Sequence, residues 1–175
     1  MLKTLRQIAS IGIVTEPAPG ADDSLRLRVS LQERIRAVLG RALCIRHIDA
    51  GSCNGCELEI HALNNPLYNI EGLGVRFVAS PRHADLLLVT GPVSRHMETA
   101  LRRTYAATPD PKLVVALGDC GCSGGIFGES PASCGRVSNV IPVDVAIPGC
   151  PPSPTQILRG ILAAVSSERA AGAER

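Results

Sequence analysis

Residues 113–125 read LVVALGDCGCSGG, and the order of chemical types along them decides the architecture. Leu113 to Leu117 form an apolar run with no polar alternation, the signature of a strand covered on both faces, as in a parallel sheet. Gly118 breaks the run and two cysteines follow. The same arrangement recurs along the chain. The apolar run 43–48 leads into AGSCNGC, 86–89 into TGPVS, and 143–147 into PGCPPSP, with 75–78 as a further short run. Between these runs, 57–63, 94–105 and 154–166 suit helices, with Ser94 as an N-cap and Ser80-Pro81 as a cap followed by Pro at the first helical position. Strands alternating with helices predict a doubly wound α/β sheet, mainly parallel. Ligands of such sheets collect beyond the carboxyl ends of the strands. Cysteines distant in sequence are therefore expected at one edge.

The regions outside the sheet read differently. Leu31, Ile35, Val38 and Leu39 recur at helical spacing over residues 30–43, with Ser30 as the expected N-cap. Before them EPAPGADD, residues 16–23, reads as an exposed linker, and residues 8–14 are apolar. This N-terminal segment reads either as an amphipathic foot on a membrane arm or as an unstructured lead. The organisation expected is an extension and helix over 1–40, an α/β domain over 41–168 and a tail over 169–175.

Composition excludes several classes. A hydrophobic content of 45% in 175 residues describes one globular domain and not a disordered chain. A net charge of +2 is too small to argue for nucleic acid, and with only Phe77, Phe127, Tyr68 and Tyr105 as aromatics no stacking platform for bases is expected. No apolar run approaches the roughly 18 residues that span a bilayer. The N-terminus reads as mature sequence, so the chain is expected to be cytoplasmic, meeting the membrane through partners. An odd count of 7 cysteines without a secretory signal favours a metal or redox site over disulfides.

Cys53 and Cys56 form a C-x-x-C on a Gly-flanked loop that enters a helix, where the helix N-terminus favours thiolate charge. Cys150 stands in G-C-P-P, and Pro after a ligand cysteine fixes the turn and removes a donor. Cys120 and Cys122 compete for a fourth position, and Cys120 is preferred because it follows the strand directly. A buried core thiol accounts better for Cys44, and Cys134 has no ligand-like surroundings. Four thiolates would also suit Zn²⁺, but structural zinc sites pair two short-range knuckles in domains that lack a core. One C-x-x-C joined by two distant cysteines favours an iron–sulfur cluster.

GSCNGCELEI, GDCGCSGGIFGE and IPVDVAIPGCPPSP together resemble the small subunit of membrane-bound, energy-converting nickel–iron hydrogenases, including the formate hydrogenlyase type. They also resemble the homologous terminal-cluster subunit of respiratory complex I. The likeness covers about residues 43–165. It implies a flavodoxin-like α/β domain holding one [4Fe–4S] cluster on Cys53, Cys56, Cys120 and Cys150, near a large catalytic subunit. Complex I subunits have adjacent cysteines at the first motif, whereas this chain has Cys53-Asn54-Gly55-Cys56, which favours the hydrogenase branch. The implied partners are a hydrogenase large subunit (or its complex I homologue), an upstream iron–sulfur subunit and membrane-arm subunits. The chain would thus sit peripherally on the cytoplasmic side of the cell membrane.

The expected role is an electron relay within an oxidoreductase complex, not catalytic alone. Its rivals are electron delivery to quinone and a zinc-stabilised scaffold without redox function. Among other residues, Glu57 and Glu59 open the helix after the C-x-x-C, and Glu59, which matches a family Glu, is the candidate for a proton relay or partner contact. His47, His61, His83 and His96 are expected to be non-ligating. Arg102 and Arg103 read as a solvated helix face, while Arg82 and Arg95 could meet a partner. GDCGCSGG lacks the G-x-G-x-x-G spacing of a dinucleotide site, so no nucleotide cofactor is expected.

Overall fold

A computed structural model of the chain describes residues 2–11 and 21–167. Helix α1 spans Leu2–Ile11 and α2 spans Ala21–Leu39. Five strands form the central sheet: β1 (Leu43–Asp49), β2 (Val75–Phe77), β3 (Leu86–Thr90), β4 (Leu113–Leu117) and, last in sequence, β7 (Val145–Ile147). Their order is β2-β1-β3-β4-β7 and every pairing is parallel. This is the 2-1-3-4-5 order of flavodoxin-like sheets, whose strand order reverses between β1 and β3. The α/β class expected from the apolar runs is the one observed.

Successive residues of the central strands point to opposite faces and build two cores. Leu86 and Leu88 of β3, with Leu113, Val115 and Leu117 of β4, join one core. Its cover includes α2, α3 (Gly55–Ala62) and α6 (Pro154–Val165). Leu87, Val89, Val114 and Ala116 join the other, with Leu101 of α4 (Arg95–Ala107) and the segment carrying Val137 and Ile141. Burial on both faces is why these strands show no polar alternation.

Helix caps follow the sequence closely in three places. Ser94 Oγ accepts from Met97 N–H at the start of α4. Ser80 Oγ accepts from Arg82 N–H, although only a short 3₁₀ turn, Pro81–His83, follows. At α6 Ser153 and Gln156 form a reciprocal capping box with Pro154 at the first position. The sequence reading named no cap for this helix.

The N-terminal helix departs from expectation. Helix α2 begins at Ala21, so Ser30 lies inside it and not at its cap, and Ala21 to Asp23 of the expected linker are helical. Acidic residues near a helix start are favoured by its dipole, and Asp22 and Asp23 serve a helix as readily as a loop. The helix ends before Gly40, whose N–H donates to Arg36 O. The remaining linker residues, 16–20, and residues 12–14 of the apolar segment lie outside the described residues. Leu31, Ile35 and Val38 are buried, as their spacing predicts.

GDCGCSGG also differs from a plain loop: Gly118–Ser123 form a short helix, α5. A small hairpin, β5 (Glu129–Ser130) with β6 (Ser133–Cys134), follows it. The hairpin is tied to the β3–α4 connection, with Cys134 N–H donating to Val93 O and Val93 N–H to Gly135 O.

Candidate metal centre at the carboxyl edge of the sheet

Four chain segments leave the carboxyl ends of β1, β3, β4 and β7 and meet around one cavity of about 130 Å³. Its walls carry Cys53, Cys56, Cys120 and Cys150, with Gly91, Asp119, Gly149 and Pro151 among their neighbours. The sheet topology brings together cysteines as far apart in sequence as Cys53 and Cys150.

Each approach is held by local hydrogen bonds. After β1, Asp49 Oδ1 accepts from Gly51 and Ser52 N–H at 2.9 and 2.8 Å, turning the chain toward Cys53. Burial works against the Asp49 charge, but the backbone donors of Ser52 and Gly51 win and hold its carboxyl below the ordinary value. Ala50 N–H donates to Thr90 O, which joins this loop to the end of β3. Gly91 has φ +76°, and a Cβ there would lie 2.5 Å from Ser52 N, so only glycine lets the two loops approach. Asp119 N–H donates to Gly149 O and Asp119 Oδ1 accepts from Gly149 N–H, each at 2.8 Å, which locks α5 to the loop of Cys150. The Cys150–Pro151 peptide is cis.

Gly118 carries the sharpest fit. Its φ is +81°, and a Cβ would stand 2.6 Å from Cys56 Sγ. At Gly125 a Cβ would lie 2.9 Å from Cys120 Sγ. The space beside these two sulfurs exists because side chains are missing there, and it leaves both thiols facing the cavity.

Cys120 and Cys122 are separated by the helical form of α5. Residues two apart on a helix point about 200° away from each other, so one at most can face a common site. Cys120 lines the cavity. Cys122 Sγ packs against the second core and donates to Ala116 O at 3.4 Å. The remaining cysteines are elsewhere. Cys44 lies in β1 near the opposite edge, and buried Cys134 donates its thiol to Glu98 Oε2 at 3.3 Å.

The electrostatics record the crowding of thiols. The Cys56 thiol is pushed up to about 12 by burial, then by the negative charges of Glu57, Cys53, Cys120 and Cys150. Burial also raises Cys120, reinforced by Cys150 and Cys53. Four thiolates cannot share this space without a cationic group between them. Among the described residues, no three Cys, His, Asp or Glu side chains converge as a chelate for a single ion. The donors are soft, cysteine-only and distributed around a cavity. That donor set fits an iron–sulfur cluster, whose own sulfides complete the iron coordination.

The same spacing rule sorts the two carboxylates of α3. Glu57 is buried at 7% exposure and neither oxygen has a hydrogen-bond donor among the described residues. His47 Nε2 stands 3.6 Å from Glu57 Oε1 and 3.0 Å from Thr90 Oγ1. Burial lowers the His47 pKa against the pull of Glu57 and Asp49, which favours the neutral imidazole. Glu59, the residue singled out from sequence, is half-buried on the same helix. The burial of Glu57 was not readable locally, because both carboxylates occupy an ordinary helix start.

The other singled-out residues lie away from the cavity. His61, His83, His96, Arg82 and Arg103 are exposed or half-exposed. Arg95 pairs with Glu98 at 3.5 Å. Arg102 is more than a solvated charge: besides pairing with Glu98 it donates to Val140 O at 2.7 Å, fastening α4 to the neighbouring segment. A larger cleft, about 590 Å³, opens near the amino ends of β1 and β3 beside Arg41, Asp85 and Asp110, but only Cys44 among the cysteines lines it.

A flavodoxin-like sheet with four cysteines around a cavity at its carboxyl edge defines an α/β subunit with a candidate metal centre. The chain belongs to the family described as NADH ubiquinone oxidoreductase, 20 Kd subunit, whose model matches residues 53–164. It is 46% identical over 141 residues to the probable membrane-bound hydrogenase subunit mbhJ of Pyrococcus furiosus, covering 79% of this chain and 84% of that one. It is 43% identical over 145 residues to formate hydrogenlyase subunit 7 of Escherichia coli, covering 82% of this chain and 55% of the relative. A subunit of the NADH-quinone oxidoreductase of Desulfovibrio desulfuricans is 42% identical over 107 residues, covering 61% of this chain and 58% of its own. Among solved structures, the membrane-bound sulfane sulfur reductase, an archaeal respiratory membrane complex, contains a chain that superposes with a TM-score of 0.65 at 32% identity. That match covers 84% of this chain and 77% of the other. The relatives named as enzymes are subunits of oxidoreductases, and this chain is a hydrogenase-associated or complex I-type subunit.

Proposed function

We propose that the chain is the electron-relay subunit of a membrane-bound nickel–iron hydrogenase assembly, with one [4Fe–4S] cluster held by Cys53, Cys56, Cys120 and Cys150. The observation that carries this reading is the meeting of four thiols, from the ends of three different strands, around one cavity. When bound, such a cluster supplies reversible one-electron transfer, with a potential set by burial, charge and hydrogen bonds. The chain's own residues fix its place. Asp49 and Asp119 hold the loops that carry the thiols, Gly118 and Gly125 leave room beside the sulfurs, and Glu57 contributes negative charge next to Cys56. A nearby negative charge disfavours the reduced cluster and would lower its potential.

The rim of the cavity suits a partner. Leu58, two residues after Cys56, is 60% exposed, and in the loop after Cys120 Ile126 and Phe127 are 94% and 55% exposed. A nickel–iron large subunit covering these side chains would exclude water and shorten the electron path. Glu59, on the same helix, is proposed for proton relay or contact with that partner. An upstream iron–sulfur subunit and membrane-arm subunits complete the proposed assembly, peripheral to the cytoplasmic face of the membrane. Bond-making chemistry belongs to the large subunit.

Electron delivery to quinone is the second reading, favoured by the likeness to the NADH-quinone oxidoreductase subunit. The C-x-x-C spacing argues for the hydrogenase branch. Anaerobic purification of the native complex, with EPR of the reduced sample and metal analysis, tests both. A reduced [4Fe–4S] signal with nickel in the co-purifying large subunit supports the hydrogenase role. A cluster without nickel moves the assignment to quinone, and zinc without iron ends the electron-transfer reading.

A further inference from the structure

None of the described residues that line the cavity belongs to α1, and the sequence of this helix, LKTLRQIASI, separates two kinds of residue. At about 100° per residue, positions 2, 4, 5, 8, 9 and 11 fall on one half of the helix and are Leu, Thr, Leu, Ile, Ala and Ile, with Thr4 the one polar member. Positions 3, 6, 7 and 10 fall on the other half and are Lys, Arg, Gln and Ser. Leu2 is 69% exposed and Ala9 is also exposed, so the apolar half is open to solvent at both places where its exposure is described. Helix α2 makes the contrast: its apolar positions Leu31 and Ile35 are buried in the core that includes α6.

A ten-residue helix is marginal alone in water and gains stability when its apolar face is covered. At roughly 15 Å it is too short to cross a bilayer, whose apolar thickness is about 30 Å. Charge indicates what the cover is. Lys3 and Arg6 are exposed, and no acidic residue occurs in the sequence before Glu16. Strong segregation, low net hydrophobicity and a basic polar face together describe a helix that lies in the plane of a lipid interface.

We infer that α1 binds the surface of an anionic membrane directly, apolar half in the lipid and Lys3 and Arg6 at the headgroups. The chain then has a membrane contact of its own, beside any made through partner subunits. This does not depend on the cluster, since none of the described residues that line the cavity belongs to α1. Each Lys or Arg near an anionic surface strengthens binding about fivefold, so two favour anionic over neutral lipid by about 25-fold.

Flotation of the full-length chain tests the inference, with phosphatidylglycerol/phosphatidylcholine vesicles compared with phosphatidylcholine alone. The wild type is expected to float with the anionic vesicles and at least tenfold more weakly with the neutral ones. Leu5→Glu with Ile8→Glu should abolish flotation on both. Lys3→Glu with Arg6→Glu should remove the preference for anionic lipid. An unchanged thermal unfolding midpoint of the α/β domain shows that the variants remain folded. No flotation of the wild type on anionic vesicles overturns the inference. Wild-type flotation by both double variants also overturns it. So does a Leu5→Glu/Ile8→Glu chain that leaves its co-purifying subunits but still binds vesicles, because a protein groove would then be the cover.

Discussion

The two edges of the sheet are built on opposite plans. At the amino edge, carboxylates are matched to donors. Asp85 accepts from Cys44 N–H at 2.9 Å and from both Arg41 Nη atoms at 2.6 and 2.9 Å, and Asp144 Oδ2 accepts from Val114 N–H at 2.8 Å. These carboxylates fasten neighbouring strands where ladder bonding begins. At the carboxyl edge the side chains turn inward on a cavity: thiols raised by burial and by one another, a glycine where any Cβ would strike Cys56, and a buried Glu57 without a donor among the described residues. One edge holds its strands in place by satisfied bonds. The other leaves its binding capacity for something not made of protein.

The comparison breaks most sharply at Cys120. Cys120→Ser is expected to remove most of the iron and visible thiolate–iron absorbance from anaerobically prepared protein, whereas Cys122→Ser should retain nearly all of both. The reverse result would mean that α5 presents its other face to the cluster. Next in size is Gly118→Ala, which forces an alanine to φ +81° with its Cβ on Cys56 Sγ. It should cost about 2 kcal/mol of stability and also deplete iron, read by denaturant unfolding and iron assay on one sample.

Asp85→Ala tests the amino edge. Loss of its backbone bond should cost about 1.5 kcal/mol and lower the unfolding midpoint by about 4 °C. The Arg41 pair adds little, since that side chain is 59% exposed. Iron content and the EPR signal should stay as in the wild type, and a change in either would join the two edges into one functional unit. The smallest stability effect is expected at Ile126→Ser, within about 0.5 kcal/mol because the residue is 94% exposed. Its readout is co-purification of the large subunit, which should fall several-fold while cluster loading persists.

The strands were legible because burial on both faces leaves a run such as LVVAL without polar punctuation. The cysteines were legible because glycine and proline around Cys56, Cys120 and Cys150 mark backbone that has been shaped for close approach. The start of α2 was not, since Ala21-Asp22-Asp23 has the composition of a linker and of a helix first turn alike. Helix α5 was hidden for a related reason. Glycine-rich GDCGCSGG has poor helix propensity, and bonds from Asp119 to Gly149, 30 residues away, help hold its first turn in place. The burial of Glu57 in place of Glu59 depended on which side of α3 the sheet would cover.

By itself, then, the sequence determined the strand pattern, the parallel class of the sheet and the edge at which its cysteines gather, because all three follow from local polarity and from the punctuation after each strand. Only the tertiary structure decided that α5 turns Cys122 into the second core while Cys120, the residue preferred from sequence, lines the cavity, and that α3 buries Glu57 while leaving Glu59 half-buried. Residues two apart on a helix point in nearly opposite directions, and what lies on either side is set by segments far away in the chain.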